Sequence, residues 1–314
     1  MTAAAAHAMD CALTVVILNY NTAGLLRQCL QSLRAPQGVA FKTIVVDNAS
    51  SDDSCAIVRE EFPSVQLIAS PSNIGFSAGN NLALPYLEGR YVLFLNADTE
   101  VFPGTFGEMV RFLDANPDAA IASCRVDLKR GGLDKDCHRG FPTPWAAFTH
   151  FTGMNKAFPR SALFNRYYLG HLDLGVPHEV DAVVGAFLVL RREAAAEVGF
   201  WDEDFFFYGE DLDLCYRYKQ AGWKVMFNPA CSIVHYKGAS SGFRKESADV
   251  TQAKYETRLR IARESIRAMR LFYTKHYSRT YPRPVREAVF FGLRLLEWKR
   301  TRKYRRLAEK AAGR

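Results

Sequence analysis

Leu13-Thr14-Val15-Val16-Ile17-Leu18 is an unbroken, β-branched apolar run that ends abruptly at Asn19-Tyr20-Asn21-Thr22. It does not alternate between apolar and polar residues, so neither face is left for water. A strand of this kind has to be covered on both sides, as in a parallel sheet flanked by helices. The pattern then recurs. Leu25, Leu26, Cys29, Leu30 and Leu33 follow at helical spacing, and Lys42-Thr43-Ile44-Val45-Val46-Asp47 is a second strand ending in an acid. A helix around Ser54–Glu61, a third strand at Val65–Ala69, and an Asn/Gly loop at 73–81 opening a short helix come next. Tyr91–Leu95 is a fourth strand, ending at Asn96-Ala97-Asp98. Strand, polar loop, helix and strand in this order predict a doubly wound α/β domain. Ligands of such sheets bind at the carboxyl ends of the strands, where Asn19–Asn21, Asp47–Ser50 and Asn96–Asp98 fall.

The rest of the chain is less uniform. Residues 127–180 are rich in Gly, Pro, His and aromatics without a clean period, and read as loops or a lid, or as a disordered stretch. Val180–Arg191 reads as another buried strand. A helix over Asp211–Ala221 leads to short strands at Trp223–Phe227 and Ser232–His235. From Thr251 the pattern is helical, and Tyr281-Pro282-Arg283-Pro284 divides it into two helices.

Charge separates body from tail. Residues 253–314 carry 19 Lys and Arg against 5 acids, while the remainder is mildly acidic, within a net charge of +8. The seven cysteines form no C-x-x-C pair and read as reduced, buried thiols of a cytosolic protein. Met1–Asp10 lacks a basic n-region, and no apolar run is long enough to span a bilayer.

Four groups of residues suggest chemistry. Phe205-Phe206-Phe207-Tyr208-Gly209-Glu210-Asp211-Leu212-Asp213 sets three carboxylates directly behind four aromatics. Crowded, semi-dry carboxylates suit a general base, although acids in a first helical turn also complement the helix dipole. Asp47 at a strand end could accept from a nucleobase or ribose, or the segment could simply cap a helix. Asp98 is placed for a hard cation or for a turn. His235 and Lys237, running into Gly238–Gly242, fit either a structural histidine or a phosphate-holding loop.

Taken together, Val16–Asn21, Val45–Asp52, Asn73–Phe76, Leu95–Asp98, Val183–Arg192, Glu210–Cys215 and Val234–Ser241 resemble the family 2 nucleotide-sugar glycosyltransferases, in order and spacing, over residues 13–245. Within the family the look is that of the bacterial rhamnosyltransferase branch. The resemblance implies a GT-A fold over residues 1–250, with a nucleotide-binding half at about 10–125 and an acceptor-binding half at about 126–250. A basic amphipathic helical tail over 251–314 follows. By position, Asp211 is the catalytic base, with Glu210 beside it to orient the acceptor or cap the helix. Asn19, Tyr20, Asp47, Asn73, Gly75 and Asn96 form the nucleotide site. Asp98 and His235 are the metal ligands, Asn96 replacing the first acid of the family's D-x-D element. Gly185, Ala186 and Lys237 are candidates for donor-sugar or acceptor contact. The implied cofactor is Mg²⁺ or Mn²⁺. The implied donor is a dTDP- or UDP-sugar, and the acceptor a glycan or polyprenyl-linked saccharide.

The tail reads in two ways. Val285, Val289, Leu293 and Leu296 make a stripe that could pack on the body. Phe290, Phe291, Leu295 and Trp298, ringed by Arg286, Arg294, Lys299, Arg300, Arg302, Lys303, Arg305 and Arg306, suit an anionic membrane. The expectation is a cytoplasmic protein peripheral on the inner face of the cell membrane, with no nucleic-acid partner. The rival readings are a non-catalytic scaffold at the membrane and a sugar nucleotidyltransferase, whose Gly-rich phosphate loop is absent after the first strand.

Overall fold

The computed structural model describes residues 11–237 and 255–312. β1 (Leu13–Asn19) lies between β2 (Phe41–Asp47) and β4 (Tyr91–Asn96), parallel to both. α1 (Ala23–Ser32), α2 (Ser54–Glu61) and α3 (Phe76–Asn81) alternate with these strands and with β3 (Gln66–Ala69). Val15, Val16, Ile17, Ile44, Val45, Val46, Val92 and Leu93 have no solvent exposure, which is why this part of the sheet forms from unbroken apolar runs. Leu26, Cys29 and Leu30 of α1 are buried at helical spacing.

β5 (Thr99–Val101), α4 (Thr105–Ala115) and β6 (Ala119–Leu128) follow. Next come α5 (Pro144–Phe151), α6 (Met154–Ala157), β7 (His178–Val180), β8 (Phe187–Arg191) and α7 (Arg192–Val198). α8 (Glu210–Gln220) and β9 (Lys224–His235) complete the body, and α9 (Tyr255–Phe272) and α10 (Arg283–Ala312) the tail. The nine-stranded sheet runs β3-β2-β1-β4-β8-β6-β9-β5, with β7 pairing β9. β8 is antiparallel to both β4 and β6, and so joins the parallel N-terminal strands to the other half of the sheet.

Three expectations need correction. Val180–Arg191 is not one strand. Val180 ends β7, β8 starts at Phe187, and Ala182 between them exchanges two backbone hydrogen bonds with Arg139. The segment is apolar because it is buried beneath the site, not because it continues a ladder. The two short strands before and after Pro229 are a single strand, β9. Its pairing with β6 slips between Cys124 and Arg125, and the slip accommodates a proline that has no N–H to donate. Residues 127–180 contain the end of β6, α5, α6 and β7, and are not loop alone. All seven cysteines are free; Cys29, Cys124, Cys137 and Cys215 are buried, and Cys11, Cys55 and Cys231 partly exposed.

The tail breaks between Phe272 and Arg283 as the prolines predict, with a π-helical turn at Tyr273–Tyr277. Its proposed onset at Thr251 and the loop Gly238–Gly242 lie outside the described residues. Phe272, Tyr273 and Tyr277 are buried in the main core, and His276 Nε2 meets Asp213 Oδ1 of α8 at 2.7 Å. The tail stripe is half-buried at Val285, Val289 and Leu296 and buried at Leu293, whereas Phe291, Leu295 and Trp298 face solvent. Among the described residues no helix is long and apolar enough to cross a membrane.

Candidate active site

Parallel register sets the first half of the site. Asn19 stands opposite Asp47 and Leu18 opposite Asn96, so three strands end side by side. Asp47 is almost fully buried; its Oδ1 accepts from Asn19 Nδ2 at 2.9 Å and its Oδ2 from the Ser50 amide at 2.9 Å. Asn19 is itself buried and accepts from Thr22 Oγ1 at 2.6 Å. It therefore holds Asp47 in place rather than lining an open pocket. Tyr20, by contrast, is exposed. Asn21 and Ala49 in the adjoining loops have positive φ, a strained conformation for residues with side chains.

The Asn73-Ile74-Gly75 loop is fastened by Asn48. Its Nδ2 donates to Gly75 O and Asn73 Oδ1, and its Oδ1 accepts from Ile74 N. Gly75 has φ of 93°, and a Cβ there would lie 2.6 Å from the Phe206 carbonyl oxygen. That carbonyl accepts from Phe76 N at 2.7 Å. The close approach joins this loop to the aromatic segment before α8.

The carboxylates of that segment enter α8 through Tyr208 and Gly209, both at positive φ. Glu210, Asp211 and Asp213 are all buried. Asp213 is held by Arg217 and His276, which makes it a structural tether. Asp211 Oδ2 pairs with Arg139 Nη2 at 2.6 Å and accepts from Gly185 N at 3.3 Å. Ala186 next to it accepts from Asn96 N at 3.0 Å, so Gly185-Ala186 bridges the end of β4 and the base candidate. Glu210 Oε2 is buried without a hydrogen-bond partner. Burial, reinforced by the charge of Asp211, pushes the Glu210 carboxyl up to about 8.

On the other side, Asp98 Oδ1 lies 3.2 Å from His235 Nε2, and Asp134 Oδ2 lies 3.5 Å from His235 Nδ1. Burial disfavours the charged ring, but Asp98 and Asp134 override it and raise His235 to about 9. Lys237 sits between Asp134 and Asp136. Asp136 in turn reaches Arg139 at 3.5 Å. Alternating charges thus link Asp98 to Asp211 through His235, Asp134, Lys237, Asp136 and Arg139.

A buried carboxylate and imidazole in contact suit a divalent cation. The imidazolium already occupies a cationic position between Asp98 and Asp134, and the adjacent Asp134 Oδ2 and His235 Nδ1 lack hydrogen-bond partners. Among the described residues no group of three or more His, Cys, Asp or Glu is arranged as a preformed metal site. A hard cation would fit here only by displacing the His235 proton, with Asp98 and the freed imidazole as ligands and phosphate and water oxygens completing its shell.

The fold brings together Asn19, Asp47, Asn73, Gly75, Asn96, Gly185, Ala186, Glu210 and Asp211 along one edge. Asp98, His235 and Lys237 gather in the linked acidic cluster. Sequence reasoning missed Arg139, Asp134 and Asn48. The first two lie in the aperiodic 127–180 stretch, where a D-x-D pair followed by an arginine was the available signal.

Residues 14–199 match the family model described as glycosyl transferase family 2. The chain is 25% identical over 244 residues to the N-acetylglucosaminyl-diphospho-decaprenol L-rhamnosyltransferase of Mycobacterium tuberculosis, covering 73% of this chain and 78% of the relative. It is 24% identical over 233 residues to the rhamnosyltransferase WbbL of Escherichia coli, covering 71% and 82%. Among solved structures, the mannosyltransferase PcManGT from Pyrobaculum calidifontis, in complex with GDP-Man and Mn²⁺, aligns with TM-score 0.56 and 18% identity. That alignment covers 96% of this chain and 75% of the other. GalNAc-T7 with UDP, GalNAc and Mn²⁺ aligns with TM-score 0.53 and 17% identity, covering 71% and 43%. These likenesses identify the fold as GT-A.

Proposed function

The chain belongs to glycosyl transferase family 2, and from that premise we propose an inverting, metal-dependent enzyme of cell-envelope polysaccharide synthesis. It transfers a sugar, rhamnose by preference, from a dTDP- or UDP-type donor to a hydroxyl of a glycan or polyprenyl-linked saccharide. The observation that supports this reading is the Gly185-Ala186 bridge, which ties the Asp211 carboxylate to the end of β4, and ligands of such sheets bind at the carboxyl ends of the strands. The rhamnosyl and lipid-linked parts rest on the likeness to the two bacterial rhamnosyltransferases.

In this reading Asp47 receives the base or ribose through the lone pairs that Asn19 and Ser50 leave open. Asn73 and Gly75 let the nucleotide approach backbone. Asp98 and His235 would hold Mg²⁺ or Mn²⁺, which when bound stabilises negative charge on the departing diphosphate. Asp211 accepts the proton of the attacking hydroxyl on the face opposite the leaving group, so one displacement inverts the anomeric centre. Arg139 keeps Asp211 aimed through their 2.6 Å contact. Glu210, protonated below about pH 8, adds no second charge beside it.

The protein is proposed to work at the cytoplasmic face of the membrane, held there by its tail. Besides exposed Phe291, Leu295 and Trp298, the groove between α9 and α10 is lined by Arg263, Arg294, Arg302 and Arg305 against one acid, Glu297. Such a groove suits anionic headgroups.

The test is nucleoside-diphosphate release from a panel of nucleotide sugars, with Mg²⁺, Mn²⁺ or chelator, with and without bacterial lipid extract. Release from one donor, abolished by chelation and raised by lipid, is expected. Silence across the panel from folded protein refutes the transferase reading for this chain.

A further inference from the structure

We propose that residues 141–166 form a second bilayer-contacting lobe, separate from the tail, that seats the active-site edge on an anionic membrane. The lobe is a closed excursion. Gly140 N donates to Tyr167 O at 2.8 Å, and a Cβ on Gly140 would lie 2.5 Å from Arg166 O, so its two ends are pinned together. Its outer surface exposes Trp145, Phe148, Phe151, Phe158 and Leu163, with Phe151 64% exposed. This surface is built, not frayed. Trp145 Nε1 donates to Leu163 O at 2.9 Å, Trp145 stacks on Phe148 at 5.5 Å, and Phe158 packs on Phe164 at 5.1 Å.

The occupant follows from charge. No Asp or Glu occurs from residue 137 to 172, while Lys156, Arg160 and Arg166 are exposed on the lobe. Exposed aromatics rimmed by cations and free of acids match the interfacial region of an anionic bilayer. A saccharide platform would need more polar side chains beside the rings than exposed His150 and Thr152, since Asn155 and Asn165 are buried. The foot of the lobe adjoins both membrane-side and catalytic elements. Tyr273 of the tail donates to the Pro142 carbonyl, and Arg139 holds Asp211. A seated lobe would therefore set the base close to the headgroup layer, where a lipid-linked hydroxyl arrives.

The test is flotation of the full chain with phosphatidylglycerol-rich or neutral phosphatidylcholine vesicles, at low and high salt. It does not measure transfer, so its outcome is independent of the catalytic reading. Phe148→Ser/Phe151→Ser is expected to lower partitioning roughly tenfold while leaving the melting temperature unchanged. Lys156→Glu/Arg160→Glu is expected to weaken binding to anionic vesicles only. In a Trp298→Phe background, the part of the emission that a further Trp145→Phe removes should shift blue on anionic vesicles and be quenched by brominated lipid, apart from the signal of Trp201 and Trp223. Wild-type partitioning by both double variants, or Trp145 emission that ignores lipid, overturns the proposal. A Trp145 response to soluble oligosaccharide in place of vesicles also overturns it and makes the lobe an acceptor platform.

Discussion

Arg139 and Asp211, 72 residues apart in sequence, meet at 2.6 Å with both side chains nearly out of solvent. Removing one member of such a pair strands the other charge in a poorly hydrated place. Arg139→Met should therefore destabilise the protein by about 3 kcal/mol, and adding Asp211→Asn should recover much of the loss. Denaturant unfolding of the two single variants and the double variant measures this. Strictly additive effects would mean that the contact carries no coupling.

Asp211→Asn keeps the side chain's shape and removes its basicity. Turnover is expected to fall by ~10²–10⁴-fold, with donor affinity nearly unchanged. Nucleoside-diphosphate release beside calorimetric donor titration separates the two. Normal turnover would assign the base elsewhere, Glu210 being the next candidate.

Glu210 gives stability a pH dependence of definite sign. Its carboxyl titrates at about 8 when folded, against an ordinary value of 4.5. The unfolded chain releases this proton first, so its contribution is fully present below about pH 4.5 and is lost as pH rises through 8. The full span is on the order of 5 kcal/mol. Glu210→Gln should flatten thermal stability between these limits relative to wild type. Parallel melting curves for the two proteins across that range would contradict the assignment.

Gly75→Ala asks for a positive φ of 93° and a Cβ 2.6 Å from a backbone oxygen. Strain of about 1–3 kcal/mol is expected, together with weaker donor binding if the proposed site is right, because the Phe206 contact ties the Asn73–Gly75 loop to the segment entering α8. A lowered melting temperature with unchanged donor affinity would confine Gly75 to a folding role.

The parallel half of the fold was legible because fully covered strands have to be written as unbroken apolar runs, and the Ser54–Glu61 helix was read at its observed limits. Val180–Arg191 misled for the same reason: burial under a site produces the same apolar string as burial in a ladder. Asp47, Asp98 and Asp211 were legible as acids at element ends. Arg139 was not, because its meaning comes from a backbone pairing with Ala182 that carries no periodic signature. Asp134 and Asn48 likewise acquire roles only once distant loops are folded against them.

The link from His276 to Asp213 bears on how this protein can be shortened. A truncated version ending near residue 250, chosen to improve handling in solution, would discard the ring that braces the first turn of α8. It would also uncover Tyr216, on which that ring lies. Ending the chain just beyond Tyr281 would instead remove the basic α10, with its exposed Phe291, Leu295 and Trp298, and keep the brace.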